Sequence, residues 1–275
     1  MMEMLFPPGA SAHAAGIDRM VDWVHILMFI LFVGWGAYFI YVLTRYRRGK
    51  NPSANYKGAK GKISKYVEVG VAVAEVVLLV GFSIPLWADR VDEFPAEGDS
   101  VVVRVVAQQF AWNIWYPGAD GVFGKAEPGL VNEEINPIGL DRSDEAAKDD
   151  ITTINQLHLP KGQAAIIHIS SKDVIHSFNL PNMRIKQDAI PGLSIPAWFV
   201  PTKTTDEMRE ELKSRERYKD TADEFVYEIA CAQLCGNSHY SMRGFLTVHT
   251  PEAYQAWLDE EAANLVVGGE DDFWN

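Results

Sequence analysis

Two apolar stretches dominate the first third of the chain. Residues 23–43 contain no Asp, Glu, Lys or Arg, and residues 67–88 are nearly as apolar, with Trp87 close to their end. About 20 apolar residues in a helix cross the hydrocarbon layer of a membrane, and tryptophan favours the interface. The pattern predicts a hairpin of two transmembrane helices, preceded by an N-terminal segment over residues 1–22 and joined by a loop over residues 44–66.

From residue 89 onward the pattern changes to short runs of β-branched and aromatic residues, separated by Pro and Gly. The clearest runs are Val101–Val106, Ala164–Ile169, Phe225–Ile229 and Phe245–Val248. Such runs are typical of strands, and several in succession favour a sandwich or barrel. We therefore expect an all-β domain over residues 89–250. A C-terminal helix and an acidic tail are expected over residues 251–275.

The loop between the two apolar stretches is strongly basic. Residues 44–65 contain eight Lys or Arg and no acid. Short basic loops remain in the cytoplasm, so both termini and the β domain are expected on the periplasmic side of a bacterial inner membrane. Nucleic-acid binding is a poor alternative for a basic run flanked by two spans. Residues 1–20 lack the regions of a signal peptide, so we expect the first span to be retained.

Acidic residues concentrate in the β domain. The chain carries a net charge of −12, and residues 89–275 alone carry −16. Such a field speeds association with a basic partner and makes it sensitive to salt, although acidity also serves solubility. Residues 119–151 and 204–224 are especially charged. We predict solvated loops there, the second with a short surface helix, and contacts to other subunits as the alternative.

The most specific chemical signal is a loop with two thiols, an imidazole and a thioether. Cys231 and Cys235 are the only cysteines, and His239 and Met242 follow closely. Sulfur and imidazole ligands suit copper, whereas structural zinc sites usually show Cys-x2-Cys pairs. A disulfide would leave the histidine and methionine unexplained. Since two thiolates can bridge two metals, we favour a dinuclear copper centre, with His176 as the best additional ligand.

Three motifs, in this order, resemble those of subunit II of the haem-copper cytochrome c oxidases. They are Asp173-Val-Ile-His176-Ser177, Asp188-Ala-Ile-Pro191-Gly192 and Cys231-Ala-Gln-Leu-Cys235-Gly-Asn-Ser-His239-Tyr-Ser-Met242. The resemblance extends to the membrane hairpin. It implies a cupredoxin-like Greek-key domain and two copper ions. It also implies bridging thiolates from Cys231 and Cys235, one ion each for His176 and His239, and weaker ligation by Met242 and the main-chain carbonyl of Gln233.

The same resemblance suggests where electrons arrive. In the family, a tryptophan receives the incoming electron, and Phe110 occupies that position here. Trp112 and Trp115 are candidates to replace it, and direct access to the edge of the copper site is the alternative. For Trp115 we favour hydrophobic packing beneath the metal site. Asp188 matches a family acid near the docking surface, with a structural role as the alternative.

Two further family features concern charged groups. Glu68 lies where the family has a glutamate at the mouth of a proton path, and Glu75 follows seven residues later, about two helical turns away. Ordinary headgroup or interhelical contacts are the alternative for both. Gln233 replaces a glutamate that binds magnesium in many members, so we do not predict magnesium.

The resemblance implies a subunit that accepts electrons from cytochrome c and passes them to haem in a catalytic subunit I that reduces oxygen. The chain has no Cys-x-x-Cys-His, so no covalent haem is expected. A quinol-oxidising relative would lack the copper ligands. A copper-containing subunit of a membrane nitric oxide reductase, and a membrane-anchored copper carrier or assembly protein, are the alternatives.

Overall fold

The computed structural model describes residues 6–53, 56–57 and 61–267, except the side chains of residues 266 and 267. Within these, the chain forms two compact units. The first comprises residues 15–93, and the second comprises residues 6–14 together with the chain from residue 94 onward. The end of the predicted acidic tail, residues 268–275, and residues 54, 55 and 58–60 of the basic loop lie outside the described residues.

The first unit is helical. Its elements are α1 (Ala14–Arg45), α2 (Lys62–Leu78), a π-helical turn (Leu79–Ser83) and α3 (Ile84–Val91). The helix α1 begins nine residues before the predicted span at residue 23, and the second helical stretch begins five residues before residue 67. An apolar run indicates only the part of a helix that would lie in the hydrocarbon layer. The polar residues before the run belong to the same hydrogen-bonded helix. Both stretches are long and apolar enough to cross a membrane.

Ten strands and two helices form the second unit. The elements are β1 (Ser100–Gln108), β2 (Ala111–Tyr116), β3 (Ile151–Ile154), β4 (Gln156–Pro160), β5 (Ala164–Ser171), β6 (His176–Leu180), β7 (Ile185–Ala189), β8 (Ile195–Phe199), α4 (Thr205–Lys213), β9 (Tyr227–Cys231), β10 (Arg243–His249) and α5 (Pro251–Val267). One sheet has the order β3-β2-β1-β5-β8 and the other β4-β10-β9-β6-β7. The pairs β1–β5 and β4–β10 are parallel, and the others are antiparallel.

A single apolar core lies between the two sheets. Strand β1 alternates, so that Val103, Val105 and Ala107 are fully buried. Side chains of the other sheet, including Phe178 and Leu246, belong to the same core cluster. Alternation with period two places one face of each strand inward, which is why two sheets close over one core. The unit is a cupredoxin-like sandwich, as expected.

The expectation of solvated loops in the two charged segments was wrong in part. In residues 204–224, α4 buries Met208 and Leu212 in the main core. A capping box begins this helix, since Glu207 N–H donates to the Thr204 hydroxyl while the Glu207 carboxylate accepts from Thr204 N–H. In residues 119–151, Leu140 and Ala147 pack with Trp115 in a second cluster. The high charge of both segments obscured these few apolar positions.

Residues 6–14 pack on the β unit rather than extending away from it. The Ala10 N–H donates to Asn182 O at 2.7 Å, and Thr202 N–H donates to Ala10 O at 2.8 Å. The Ser11 hydroxyl donates to Met183 O at 2.7 Å, and Ala10 is fully buried. The N-terminal segment therefore supplies part of the packing of the second unit, which its sequence did not indicate.

Candidate metal centre

Three chain segments converge at one end of the sandwich. Strand β9 ends at Cys231, β6 begins at His176, and β10 begins directly after Met242. Because β9 is antiparallel to both β6 and β10, these strand ends lie side by side. The loop between β9 and β10 carries Cys235 and His239. Strand pairing thus brings together residues that are up to 66 positions apart.

His176 is fully buried and held on both sides. Its Nδ1 atom lies 3.8 Å from the Cys231 sulfur, and its Nε2 atom lies 2.9 Å from Asp173 Oδ1. Since a carboxylate can only accept a hydrogen bond, Nε2 carries a proton, and in the neutral ring Nδ1 then keeps its lone pair. The free lone pair of His176 therefore points towards the sulfur, as a metal ligand requires.

The remaining donors surround the two sulfurs. The Sγ atoms of Cys231 and Cys235 are 3.8 Å apart, too far for a disulfide bond of about 2.05 Å. The main-chain oxygen of Gln233 is 3.2 Å from the Cys231 sulfur. The Cys235 sulfur lies 3.6 Å from His239 Nδ1 and 3.7 Å from Met242 Sδ. Each sulfur thus has one imidazole nitrogen and one weaker donor beside it.

Burial and charge around these donors suit a metal. Burial and the neighbouring Cys231 raise the pKa of Cys235 to about 12, so a cation must displace the proton. Burial acts to raise the pKa of Asp173, but hydrogen bonds from His176, Gln109 N–H and Val174 N–H lower it below its usual value. Asp173 therefore remains a carboxylate. Two thiols, two imidazoles and a thioether form a donor set that fits copper.

Comparisons with known proteins find relatives named as one kind of oxidase subunit. The family model for the periplasmic domain of cytochrome c oxidase subunit II matches residues 101–206. An alternative cytochrome c oxidase subunit 2 from Bradyrhizobium diazoefficiens is 29% identical over 89% of this chain and 80% of its own length. Cytochrome c oxidase subunit 2 from Cereibacter sphaeroides is 25% identical over 93% of this chain and 79% of its own length.

The chain is thus similar to cytochrome c oxidase subunit II over most of its length. Those relatives are named as subunits of cytochrome c oxidases, and two helical stretches of this chain are long and apolar enough to cross a membrane. The crystal structure of the periplasmic domain of subunit II (CoxB) of Bradyrhizobium japonicum aligns with 63% of this chain and 99% of its own, at 21% identity and a TM-score of 0.41. The fold assignment rests on the sheet topology.

The aromatic residues near the metal ligands differ in their access to solvent. Trp112 is fully buried, and its ring meets those of His176 and Phe178 edge to face. It cannot touch a soluble donor directly. Phe110 is half-buried in the turn between β1 and β2. It lies beside Gly236 of the loop between β9 and β10, which we call the metal loop. Phe110 is therefore the better placed of the two to meet a donor.

Three other predicted residues are not among those that surround the two sulfurs. Asp188 is exposed on β7, opposite Ser177 in the strand register. Glu68 accepts a hydrogen bond from Ser64 at 3.1 Å on α2. Glu75 lines an otherwise largely apolar groove of about 400 Å³ between α1 and the second helical stretch.

Trp115 is buried, but not in the core cluster that contains Cys231 and Cys235, where packing beneath the metal site would place it. It lies in the second cluster, where its indole N–H donates to Asp150 at 2.8 Å.

Sequence reasoning missed the residues that hold the ligands in place. Gln109 donates its main-chain N–H to Asp173 Oδ2 at 2.6 Å and its side-chain amide to Cys235 O. It thereby joins the loop that carries His176 to the loop that carries the cysteines. The position of Asp173 three residues before His176 was the available signal for its role, whereas Gln109 gave none.

Proposed function

We propose that this chain accepts single electrons from a c-type cytochrome at a dinuclear copper centre and passes them to haem in the catalytic subunit, where oxygen is reduced to water. The observation that supports this most strongly is the pairing of donors around two sulfurs 3.8 Å apart. Each sulfur has an imidazole Nδ1 beside it, from His176 or His239. A mononuclear blue-copper site uses only one cysteine.

Each ligand has a distinct task in this proposal. Cys231 and Cys235 would hold the copper ions as thiolates, and His176 and His239 would each supply an imidazole nitrogen. Met242 and the Gln233 carbonyl provide weaker ligands. Two copper ions supply a centre that takes up and releases one electron. Since Asp173, Gln109 and the strand ends hold these ligands, the site changes little in geometry when an electron arrives.

The membrane arrangement follows from charge. We place the basic loop in the cytoplasm and the β unit and both termini in the periplasm. On that side the acidic surface, with Asp188, meets a basic donor beside Phe110. Glu68, and Glu75 further along the same helix, remain our candidates for a proton path into subunit I, because carboxylates within a membrane are costly and usually functional.

The proposal is tested by following the electron through the assembled oxidase. Prereduced basic cytochrome c is mixed with the copper-loaded complex, and oxidation of the cytochrome and uptake of oxygen are recorded. We expect both at a ratio of about four cytochromes per oxygen molecule, since reduction of oxygen to water takes four electrons. Absence of cytochrome oxidation, with copper present, would overturn the proposal.

The same assay separates the alternatives. Turnover with nitric oxide but not oxygen would identify a nitric oxide reductase subunit. Rapid loss of copper to a chelator, without turnover, would identify a copper carrier. The burial of Cys235, Met242 and His176 argues against a carrier, because a site that exchanges its metal needs access for the receiving protein.

A further inference from the structure

Residues 126–140 form a small hairpin within the charged segment 119–151, and we name it the acidic hairpin. Isolated bridges join Ala126 to Leu140 and Asn132 to Asn136. At its tip, the Asn132 side-chain oxygen accepts from Glu134 N–H at 3.0 Å, an Asx turn that fixes the backbone. The acidic hairpin contains three glutamates and no basic residue. It is therefore an ordered and negatively charged projection.

An ion pair attaches the acidic hairpin to the end of the sandwich that carries the copper ligands. The Glu133 carboxylate accepts from Lys172 Nζ at 2.9 Å and from Gln108 Nε2 at 3.0 Å. The same ammonium donates to Pro137 O at 3.0 Å. Gln108 is the last residue of β1, and Lys172 directly precedes Asp173. The hairpin thus lies next to both segments that position His176.

The tip also exposes apolar side chains. Ile135 is 66% exposed, and Leu130 and Val131 are also open to solvent. On the adjoining segment after Lys172, Val174 and Ile175 are exposed as well. Scattered exposed apolar residues are ordinary, but these lie on two segments that the Glu133–Lys172 ion pair joins, and such a concentration beside acidic residues favours an interaction surface.

We propose that the acidic hairpin forms one wall of the surface on which a basic electron donor docks, with Ile135 as its apolar contact. This inference rests on the proposed function. The glutamates attract the basic rim of the donor, and the apolar tip packs against the apolar edge that surrounds its redox group. A second copy of this chain and an anionic membrane are poorer occupants, because residues 89–275 carry a net charge of −16 and would repel both.

The apolar contact is tested with Ile135→Ser and a matched control, Val122→Ser. Val122 is 54% exposed in the same segment but outside the hairpin. Copper reduction in the full oxidase is timed with a strongly basic mitochondrial cytochrome c and with a small uncharged phenylenediamine reductant. We divide the rate with cytochrome c by the rate with the small reductant and call the result the quotient. It separates effects on docking from changes at the metal. We expect Ile135→Ser to lower the quotient about five- to tenfold, as loss of one buried aliphatic contact implies. Val122→Ser should leave the quotient unchanged.

The attachment of the hairpin is tested with Lys172→Met. For this variant the docking proposal and simple electrostatics predict opposite changes in the quotient. Removing a positive charge makes the surface more acidic, so charge steering alone would raise the quotient. The proposal predicts a fall of about two- to fivefold, because Glu133 and Pro137 lose their shared partner and the hairpin is no longer fixed. Glu133→Gln should lower the quotient as well.

The outcomes distinguish a failure of the docking surface from a failure of the proposed function. An unchanged quotient for Ile135→Ser, or an increase for Lys172→Met, would overturn the docking role while electron acceptance by the wild-type chain stands. If the wild-type oxidase takes electrons from the small reductant but none from cytochrome c, the proposed function fails and the docking surface fails with it.

Discussion

The carboxylate of Asp173 and the ring of His176 are joined at 2.9 Å, on the side of the imidazole opposite the Cys231 sulfur. The two residues are three positions apart, at the start of β6. This bond fixes the tautomer of His176 and the direction of its lone pair. Asp173 also accepts main-chain N–H groups of Gln109 and Val174, so its own position is determined by two loops.

Replacing Asp173 with Asn should weaken copper binding without unfolding the chain. An amide of nearly the same shape can still accept from His176, but it lacks the negative charge that favours the proton on Nε2. We expect copper affinity to fall about 10- to 100-fold, as for other partners of metal-bound histidines. Copper retention against a competing chelator measures this. Asp188→Asn, which removes an exposed acid elsewhere, should retain copper as the wild type does; equal loss in both would contradict a specific role for Asp173.

The metal loop depends on the glycine at position 236. Its φ is +136°, and an added Cβ would lie 2.7 Å from Gln109 Nε2 and 3.0 Å from Phe110 Cζ. Gly192 has φ +77° with no neighbour near an added Cβ. Gly192→Ala should therefore cost only backbone strain, about 1–2 kcal/mol, whereas Gly236→Ala should also displace Gln109 and lower the copper content. Metal analysis and urea unfolding of both variants measure the two effects. Full copper content in Gly236→Ala would contradict this account of the loop.

Much of the architecture followed from the sequence because the signals were local. Long apolar runs marked both candidate membrane helices, and alternation in β1 marked its buried face. The motif around Cys231 gathered most candidate ligands in twelve residues. Contacts between distant segments could not be predicted in this way. The bonds of Gln109 to Asp173 and Cys235 span 64 and 126 residues, and only the fold brings these atoms together.

The same reason explains the missed N-terminal contacts. The Asn182 side chain donates to Pro8 O at 2.8 Å, across 174 residues. The sequence of residues 6–14 alone does not indicate that this segment packs on the β unit. In contrast, Met208 and Leu212 of α4 were overlooked although their i, i+4 spacing is a local signal. The six charged residues from Asp206 to Lys213 obscured this spacing.

Asn182→Ala should destabilise the β unit because it leaves a carbonyl in a buried position without its donor. We expect a loss of about 1–2 kcal/mol in the free energy of unfolding. Asn179→Ala is the matched control, since Asn179 is only half-buried on the preceding strand. Urea unfolding of the full chain in detergent, followed by tryptophan fluorescence, gives both values. Equal stabilities for the two variants would mean that the N-terminal segment contributes nothing to this unit.

The stability of the β unit should decrease in acid through His158. Its Nδ1 atom lies 2.8 Å from His249 Nε2, and Trp257 of α5 stacks on its ring at 4.2 Å. Burial and the neighbouring His249 lower the pKa of His158 to about 4. Burial also lowers the pKa of His249, which Asp206 opposes.

Because the folded state binds the proton more weakly than the unfolded state, the contribution of His158 is complete above about pH 6.5 and is lost as the pH falls towards 4. After allowance for solvent screening, we expect the free energy of unfolding to fall by about 2 kcal/mol over this range. Urea unfolding of the metal-free full chain across this range measures the loss, and His158→Gln should flatten the profile. If the free energy of unfolding of His158→Gln depended on pH as that of the wild type does, the acid sensitivity would belong to other groups.

The most direct test of the central claim is the copper stoichiometry of the purified full chain, combined with its electron paramagnetic resonance spectrum. A dinuclear centre bridged by Cys231 and Cys235 predicts about two copper ions per chain. It also predicts one unpaired electron shared equally by two copper nuclei, which gives a seven-line hyperfine pattern. One copper per chain with the four-line pattern of a single nucleus would contradict the dinuclear assignment.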